Sequence, residues 1–586
     1  MAEAQAETRT PLAWCRALFT GVLFSGARDT DSRVRPLALL LLLLLPGALL
    51  YPTRGFHLLE PDEGRYAQIP KEMLETGSWV VPTLQGEPYL DKPPLMYWLT
   101  ALSYKAFGVS PEAARLVPAL CVHLTILSVY LLGRLSIGHR AAFWAALLLS
   151  LAPGFVSVAR LLLLDGLLTL CVTVSVLCGY EAVRTGTFRR GWWLASAVAS
   201  GFGFLTKGPI SEVLLFIPLW AYAVLNRQPT PPGPPSLKGR GEIDASLRSA
   251  SEDSDSSQAS RSDAPSPLPF REGGPGGVGS PGLKWYVAFF AVVFAVNLPW
   301  YIAIGVQQPQ FLKYFFWEHN VMRFLQPFDH LQPIWYYVPI LVGGLLTASV
   351  LLAAYLWQLG RGTASAEAKP SAAGGFWLLA GGWCAFFFSC SGSKLPTYVL
   401  PAYPFLCLAV GEFVARSSWN TAIRTRALVS AAALLLLFVH YSAVPWYAKE
   451  RSPNGRPELI AKFVEDRGTA VVPFPRNCDS IAFYYDRADL KNVRTKEVNQ
   501  LIMDCHHRPR TVILFTHRDS FTGFKNTLPP SLKIVETATF KRKTGGSVMD
   551  KLAGSTPWGL CDVAVVIPLY HVPPPAPPAK GEGAEE

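Results

Sequence analysis

The side chains best suited to chemistry in this chain come in short groups set between long apolar runs. Glu60-Pro61-Asp62-Glu63-Gly64-Arg65-Tyr66 places carboxylates and a guanidinium within two helical turns. Asp91-Lys92-Pro93-Pro94 closes the same polar segment. Arg160 and Asp165 bracket residues 161–164, Lys207 precedes Gly208-Pro209, and Glu318-His319 is followed by Arg323. Lys394-Leu395-Pro396-Thr397-Tyr398 completes the set. Arg and Lys donors suit a phosphate held at a bilayer surface. Carboxylates suit the positioning or deprotonation of an acceptor group. Asp91 with His319 suits a divalent metal with oxygen partners, although two ligands are few.

Each group also has a structural reading. Asp62 after Pro61 is a good helix start and a possible cap. Asp165 could pair with Arg160. Lys207 and Lys394 could snorkel to an interface, and His319 could be an ordinary interfacial histidine. Ionisable groups near hydrocarbon are costly, so their joint presence favours function.

The elements that must position these groups are membrane helices. The chain has 586 residues, 50% hydrophobic and 16% charged, against about 25% charged in an ordinary soluble domain. Mean hydropathy is +0.25. Apolar runs recur at 36–53, 95–133, 140–158, 161–182, 191–206, 208–225, 284–306, 334–358, 374–390, 395–415 and 425–446. They predict about 11 to 13 crossings of roughly 20 residues. Gly108 and Pro111 split 95–133 into a short helix and a full span. The net charge of +11 comes largely from Arg and Lys flanking these runs, which argues against nucleic-acid binding.

Arg134, Arg140, Arg184, Arg189, Arg190, Arg361, Arg416 and Arg424 fall on one side if 95–133 crosses once, and that side is the cytoplasm. The reactive groups then face the opposite side. Residues 1–35 read as a cytoplasmic leader containing no cleavable signal, 227–283 as a disordered cytoplasmic linker, and 571–586 as a disordered tail. The two membrane halves are 36–226, with a first outer loop 54–94, and 284–446.

Residues 447–570 change character. Short β-like runs at 470–473, 481–485, 511–515, 532–535 and 563–567 alternate with helix-compatible stretches such as 457–466. They predict a small α/β domain outside the membrane. No glycine-rich phosphate loop follows these strands, so no nucleotide cofactor is expected. Cys478, Cys505 and Cys561 fall in this part, where an oxidising compartment would permit a disulfide.

These motifs, over roughly 36–445, resemble the aminoarabinose-transferase and protein O-mannosyltransferase group of the GT-C integral membrane glycosyltransferases. The strings around Asp62–Tyr66 and Lys394–Tyr398 are similar to those of bacterial lipid A aminoarabinose transferases. The resemblance implies a mainly α, polytopic transmembrane bundle of GT-C type with a C-terminal periplasmic α/β domain. It implies a polyprenyl-phosphate-linked sugar donor and an active site at the periplasmic face of the bacterial inner membrane. The acceptor it implies is a glycolipid such as lipid A, or a protein Ser or Thr. The sugar would be 4-amino-4-deoxy-L-arabinose or another pentose or hexose.

Residue by residue, the resemblance implies that Asp62 engages the acceptor and Asp165 is the second acid. Arg65, Lys92 and Lys394 match donor-phosphate contacts, and Asp91 and His319 match metal-associated positions. Glu63, Tyr66, Arg160, Lys207 and Tyr398 are further candidates within the same motifs. Asp91-Lys92 stands where Glu-Lys is expected, which shortens the carboxylate. A polyprenyl-linked glycan transporter is the alternative of a different class, but no internal repeat supports it.

Overall fold

A computed structural model describes residues 36–226, 281–322, 330–361, 371–420, 423–455, 457–517, 519–540 and 560–570. The expected leader and tail, and nearly all of the expected linker, lie outside the described residues. So does Arg323.

The chain is a multi-pass helical membrane protein. Among the described residues, five helices are long and apolar enough to cross a membrane, from Pro111–Ile137 to Ile423–Lys449. A sixth span results if Ile334–Leu345 and Thr347–Gly360, bent by 116°, are taken together. Leu39–Leu50 and Ile210–Leu225 are apolar but shorter. The larger number expected from hydropathy includes helices such as His139–Ser150, which has 12 residues, and Ala402–Arg416, which has 15. Those two lie almost wholly buried against each other inside the bundle. The split predicted within 95–133 is present as Leu95–Phe107 and Pro111–Ile137.

Local chemistry sets several boundaries. Ser110 caps the helix Pro111–Ile137 by accepting from Ala113 N at 3.1 Å, with Pro111 in the first turn. Ser371 does the same for Ala372–Cys390 through Gly374 N at 3.1 Å. Aromatic packing joins Leu164–Val183 to Ala372–Cys390 near their ends. Tyr180 stacks on Phe376 with centroids 4.2 Å apart.

The C-terminal unit is a four-stranded sheet. Its order is Ala470–Phe474, Thr511–Phe515, Asp562–Pro568, Leu532–Thr539. The first pair is parallel and the other two are antiparallel. Val512 and Leu514 point to the face covered by Ile460, Phe463 and Ile481. Ile513 and Phe515 point to the face covered by Leu501, Cys505 and Phe524. This period-two division explains the continuous apolar run of the strand, since both of its faces are buried.

One expected strand is a helix. Residues 481–485 lie in the helix Asp479–Tyr485. Ile481 and Ala482 bury against the sheet, while Phe483 joins the core beneath the first loop. Successive residues must turn by about 100° to do this, which is helical geometry. Cys478, Cys505 and Cys561 are buried, and no disulfide joins them.

Candidate active site

The first loop carries the helix Asp62–Thr76 and a short antiparallel pairing of Thr83–Leu84 with Glu87–Pro88. The helix is held at its start by Glu63. Glu63 Oε1 accepts from Arg115 Nε at 2.8 Å and from Leu162 N at 2.9 Å. Its Oε2 accepts from Arg115 Nη2 at 2.6 Å and from Leu59 N at 3.0 Å. Burial works to raise this carboxyl, but Arg115 and the backbone donors prevail and hold it below the usual range. Glu63 therefore ties the loop helix to the helix Pro111–Ile137 and to the turn that leads into Asp165.

Asp62 is the first residue of the loop helix, and Pro61 holds the cap position without a side-chain capping bond. The Asp62 side chain is 47% exposed, and its Oδ1 lies 3.9 Å from Arg65 Nη1. Asp62 is thus an accessible carboxylate beside a largely buried guanidinium. Arg65 also donates to Tyr89 Oη at 3.3 Å. Its Nε lies 3.7 Å from Asp479 Oδ2, contributed by the C-terminal unit. Burial works against the Arg65 charge, yet Tyr89, Tyr66, Asp479 and Asp62 push its pKa above the ordinary value. Tyr66 is buried one turn from Asp62 and packs on Tyr97, centroids 6.0 Å apart.

Asp91 extends this polar group. Tyr314 Oη donates to Asp91 Oδ1 at 2.6 Å, and burial pushes the nearby Tyr89 phenol up against the pull of Arg65. A cleft of about 720 Å³ opens between the first loop and the C-terminal unit, with Arg65, Tyr89, Asp91, Asn477, Asn492 and Arg494 in its walls. Lys92 is half-buried beside Asp91.

Asp165 lies in the first turn of the helix Leu164–Val183. Its partner is Lys207, with Nζ 2.5 Å from Asp165 Oδ1, rather than Arg160. Lys207 Nζ sits 4.5 Å from the centroid of the Tyr398 ring, a cation–π contact. Asp165, Lys207 and Tyr398, far apart in sequence, form one cluster. A Cβ on Gly166 would fall 2.3 Å from Ala159 O, so the absence of a side chain there lets the 159–165 turn close.

Two other candidates are bound to backbone carbonyls. Arg160 is buried, donates to Leu49 O at 3.1 Å and to Thr53 Oγ1, and faces the Phe56 ring. Lys394 is buried as well, and its ammonium donates to Ser391 O and, at 3.0 Å, to Gln332 O. Both hold backbone segments in place. The His319 side chain lies outside the described residues. Among the described residues no three His, Cys, Asp or Glu side chains gather as a metal set. Asp91, the other residue expected at a metal, accepts from Tyr314 Oη.

Tyr89, Tyr314 and Asp479 did not stand out in the sequence. Tyr89 had a weak signal, two residues before Asp91. Asp479 had none, because it meets Gln85 across 394 residues of chain.

The family described as dolichyl-phosphate-mannose-protein mannosyltransferase matches residues 91–231. The undecaprenyl phosphate-alpha-4-amino-4-deoxy-L-arabinose arabinosyl transferase of Pseudomonas savastanoi pv. phaseolicola is 32% identical over 419 residues, covering 69% of this chain and 66% of that protein. The protein of the same name from Yersinia enterocolitica is 30% identical over 412 residues, covering 68% and 63%. The chain therefore spans just under two thirds of the length of these curated relatives. The crystal structure of ArnT from Cupriavidus metallidurans bound to undecaprenyl phosphate superposes with a TM-score of 0.63 at 19% identity, over 90% of this chain and 97% of that one. That likeness is one of fold.

Proposed function

We propose that this chain, which belongs to the GT-C integral membrane glycosyltransferases of the aminoarabinose-transferase type, moves a sugar from a polyprenyl-phosphate donor to a cell-envelope glycolipid such as lipid A. The observation that carries this reading is the accessible Asp62 carboxylate 3.9 Å from the Arg65 guanidinium, on a helix that Glu63 locks beside the Asp165 turn. Acid and base stand together at the start of one helix. A phosphate-linked sugar needs both.

Arg65 and Lys92 would meet the donor phosphate and stabilise the negative charge it gathers as it leaves. Lys394 belongs to the same assignment by resemblance, although two of its donors hold carbonyls. The acceptor oxygen attacks the anomeric carbon as the bond from that carbon to the phosphate oxygen breaks. Polyprenyl phosphate leaves and the configuration inverts. An acceptor hydroxyl would pass its proton to Asp62. An acceptor phosphate is already ionised, and Asp62 would orient the group that bears it. Asp165, held by Lys207, is the second acid of the site. Tyr66, Tyr398 and Arg160 support these groups from behind.

The protein would reside in the bacterial inner membrane, with the first loop and the C-terminal unit on the periplasmic side. The one-sided distribution of Arg and Lys in the short loops supports this. The sugar would be 4-amino-4-deoxy-L-arabinose, as the names of the relatives suggest. The mannosyltransferase match over 91–231 favours a second reading in which the acceptor is a protein Ser or Thr.

Mass spectrometry of lipid A, glycolipids and glycoproteins from wild-type, null, Asp62→Asn and Lys92→Ala cells tests the proposal. A modified lipid A species present only with wild-type protein is the expected result. If the variants retain every species that the null loses, the assignment of Asp62 and Lys92 is wrong.

A further inference from the structure

We propose that Asp479, in the C-terminal unit, is a positioning residue that aims Arg65 at the donor phosphate, so that the C-terminal unit completes the active site. This rests on the reading of Arg65 given above. Asp479 is fully buried, and its Oδ2 lies 3.7 Å from Arg65 Nε, whose side chain is 20% exposed. Among the described residues, neither of these two buried atoms has a hydrogen-bond partner. They face each other as an ion pair.

The remainder of Asp479 is held from both units. Its Oδ1 accepts from Gln85 Nε2 of the first loop at 2.8 Å and from Asn492 Nδ2 of its own unit at 3.3 Å. Asn492 Nδ2 also donates to Gln85 Oε1 at 2.6 Å. The carboxylate is therefore fixed before any ligand arrives. Its charge acts on the Nε edge of the Arg65 guanidinium, while Nη1 faces Tyr89 and Asp62. An opposite charge held on one edge of a planar guanidinium favours the orientation in which its remaining donors point away from that edge. Arg65 and Asn492 both line the cleft between the two units, so that direction concerns the place where a ligand would bind.

The same two units also meet at Lys71 and Asp486, 2.8 Å apart, where Asp486 is 56% exposed. This second bridge holds the units together without touching Arg65. It separates a docking role from a positioning role.

The test is steady-state transfer by the full-length protein in detergent, with purified polyprenyl-phosphate sugar and lipid A. Asp479→Asn keeps the shape of the side chain and removes its charge. The expected result is a kcat lowered by roughly tenfold or more, as misplacement of a reacting partner produces, with the acceptor KM within about twofold. Lys71→Ala should leave kcat unchanged. In an Arg65→Ala background, Asp479→Asn should cause no further loss, because both changes remove one interaction. Binding of undecaprenyl phosphate alone should weaken in Asp479→Asn and in Arg65→Ala alike.

An active Asp479→Asn beside an inactive Arg65→Ala overturns the positioning role and leaves the reading of Arg65 intact. Full activity of Arg65→Ala overturns both. Equal losses from Lys71→Ala and Asp479→Asn reduce Asp479 to a docking contact and overturn the proposal. If Asp479→Asn does not yield folded protein, Gln85→Ala and Asn492→Ala loosen Asp479 from outside. They must then lower kcat without changing acceptor KM, and unchanged kcat in both overturns the proposal.

Discussion

Glu63 and Arg115 meet through two parallel hydrogen bonds of 2.8 and 2.6 Å, both side chains almost fully buried. The Arg115 guanidinium also donates to the carbonyls of Arg54, Phe56 and His57 and lies 3.6 Å from the centroid of the Phe56 ring. One ion pair thus organises the first loop, the helix behind it and the turn before Asp165. Glu63 sits beside Asp62 in sequence, yet the two carboxylates have different work. Removing one partner of such a buried pair costs about 3–5 kcal/mol, because the other charge is left uncompensated. Glu63→Ala should lower the melting temperature in detergent by many degrees. Asp62→Asn, at an exposed position, should leave it nearly unchanged while transfer is lost. Equal melting temperatures for the two variants would show that Glu63 does not carry the clamp.

Gly64 is required by the other side of the same helix. A Cβ there would lie 2.5 Å from Ser480 N and 3.1 Å from Asp479 C, both backbone atoms. Backbone yields less readily than a side chain, and overpacking of this kind costs about 1–3 kcal/mol. Gly64→Ala should therefore loosen the C-terminal unit from the first loop. Limited proteolysis should cut the variant faster near residues 447–456 than the wild type. An identical digestion course would mean that the two units separate without cost.

Much of this arrangement was legible in the sequence. Apolar runs marked the helices, and clustered charges marked the first loop, because water-exposed and lipid-exposed segments differ in composition. The break at Gly108 and Pro111 marked a helix boundary for the same local reason. Two kinds of information were not local. Residues 481–485 read as a strand because a short apolar and aromatic run suits either structure, and packing on two different partners decides it. Proximity in sequence offered Arg160 as one possible partner of Asp165, but its ion-pair partner in the fold is Lys207, from another helix.

Glu60 gives a pH dependence of stability. Its Oε1 accepts from Ser480 N at 2.6 Å. Burial, and then the neighbouring Asp479 carboxylate, push its carboxyl upward, and burial pushes Asp479 upward as well. A raised value in the folded state favours the protonated form. The stability this contributes is complete below the ordinary glutamate value of 4.5 and is lost as pH rises through the raised folded value. Glu60→Gln mimics the protonated form and should match wild type at low pH. At high pH it should be more stable by on the order of 1 kcal/mol or more. Melting curves of both proteins from pH 4 to pH 9, roughly the span over which a raised carboxyl titrates, measure the difference. A gap that stays constant with pH would mean that folding leaves the Glu60 carboxyl at its unfolded value.

Asp165 and Lys207 allow stability and activity to be separated. Their side chains are 11% and 17% exposed and 2.5 Å apart, and the ammonium also faces Tyr398. Asp165→Asn leaves a largely buried ammonium without its counter-charge and should cost about 3–5 kcal/mol. Lys207→Met leaves the carboxylate alone and should cost a similar amount. The double variant removes both charges together and should regain most of the stability, as replacements of buried pairs by apolar groups commonly do. Transfer should nonetheless stay absent in the double variant, because the second acid of the site is missing. Melting temperature and in vitro transfer, measured on the same four proteins, decide the point. If the double variant regains transfer along with stability, Asp165 serves only as the partner of Lys207.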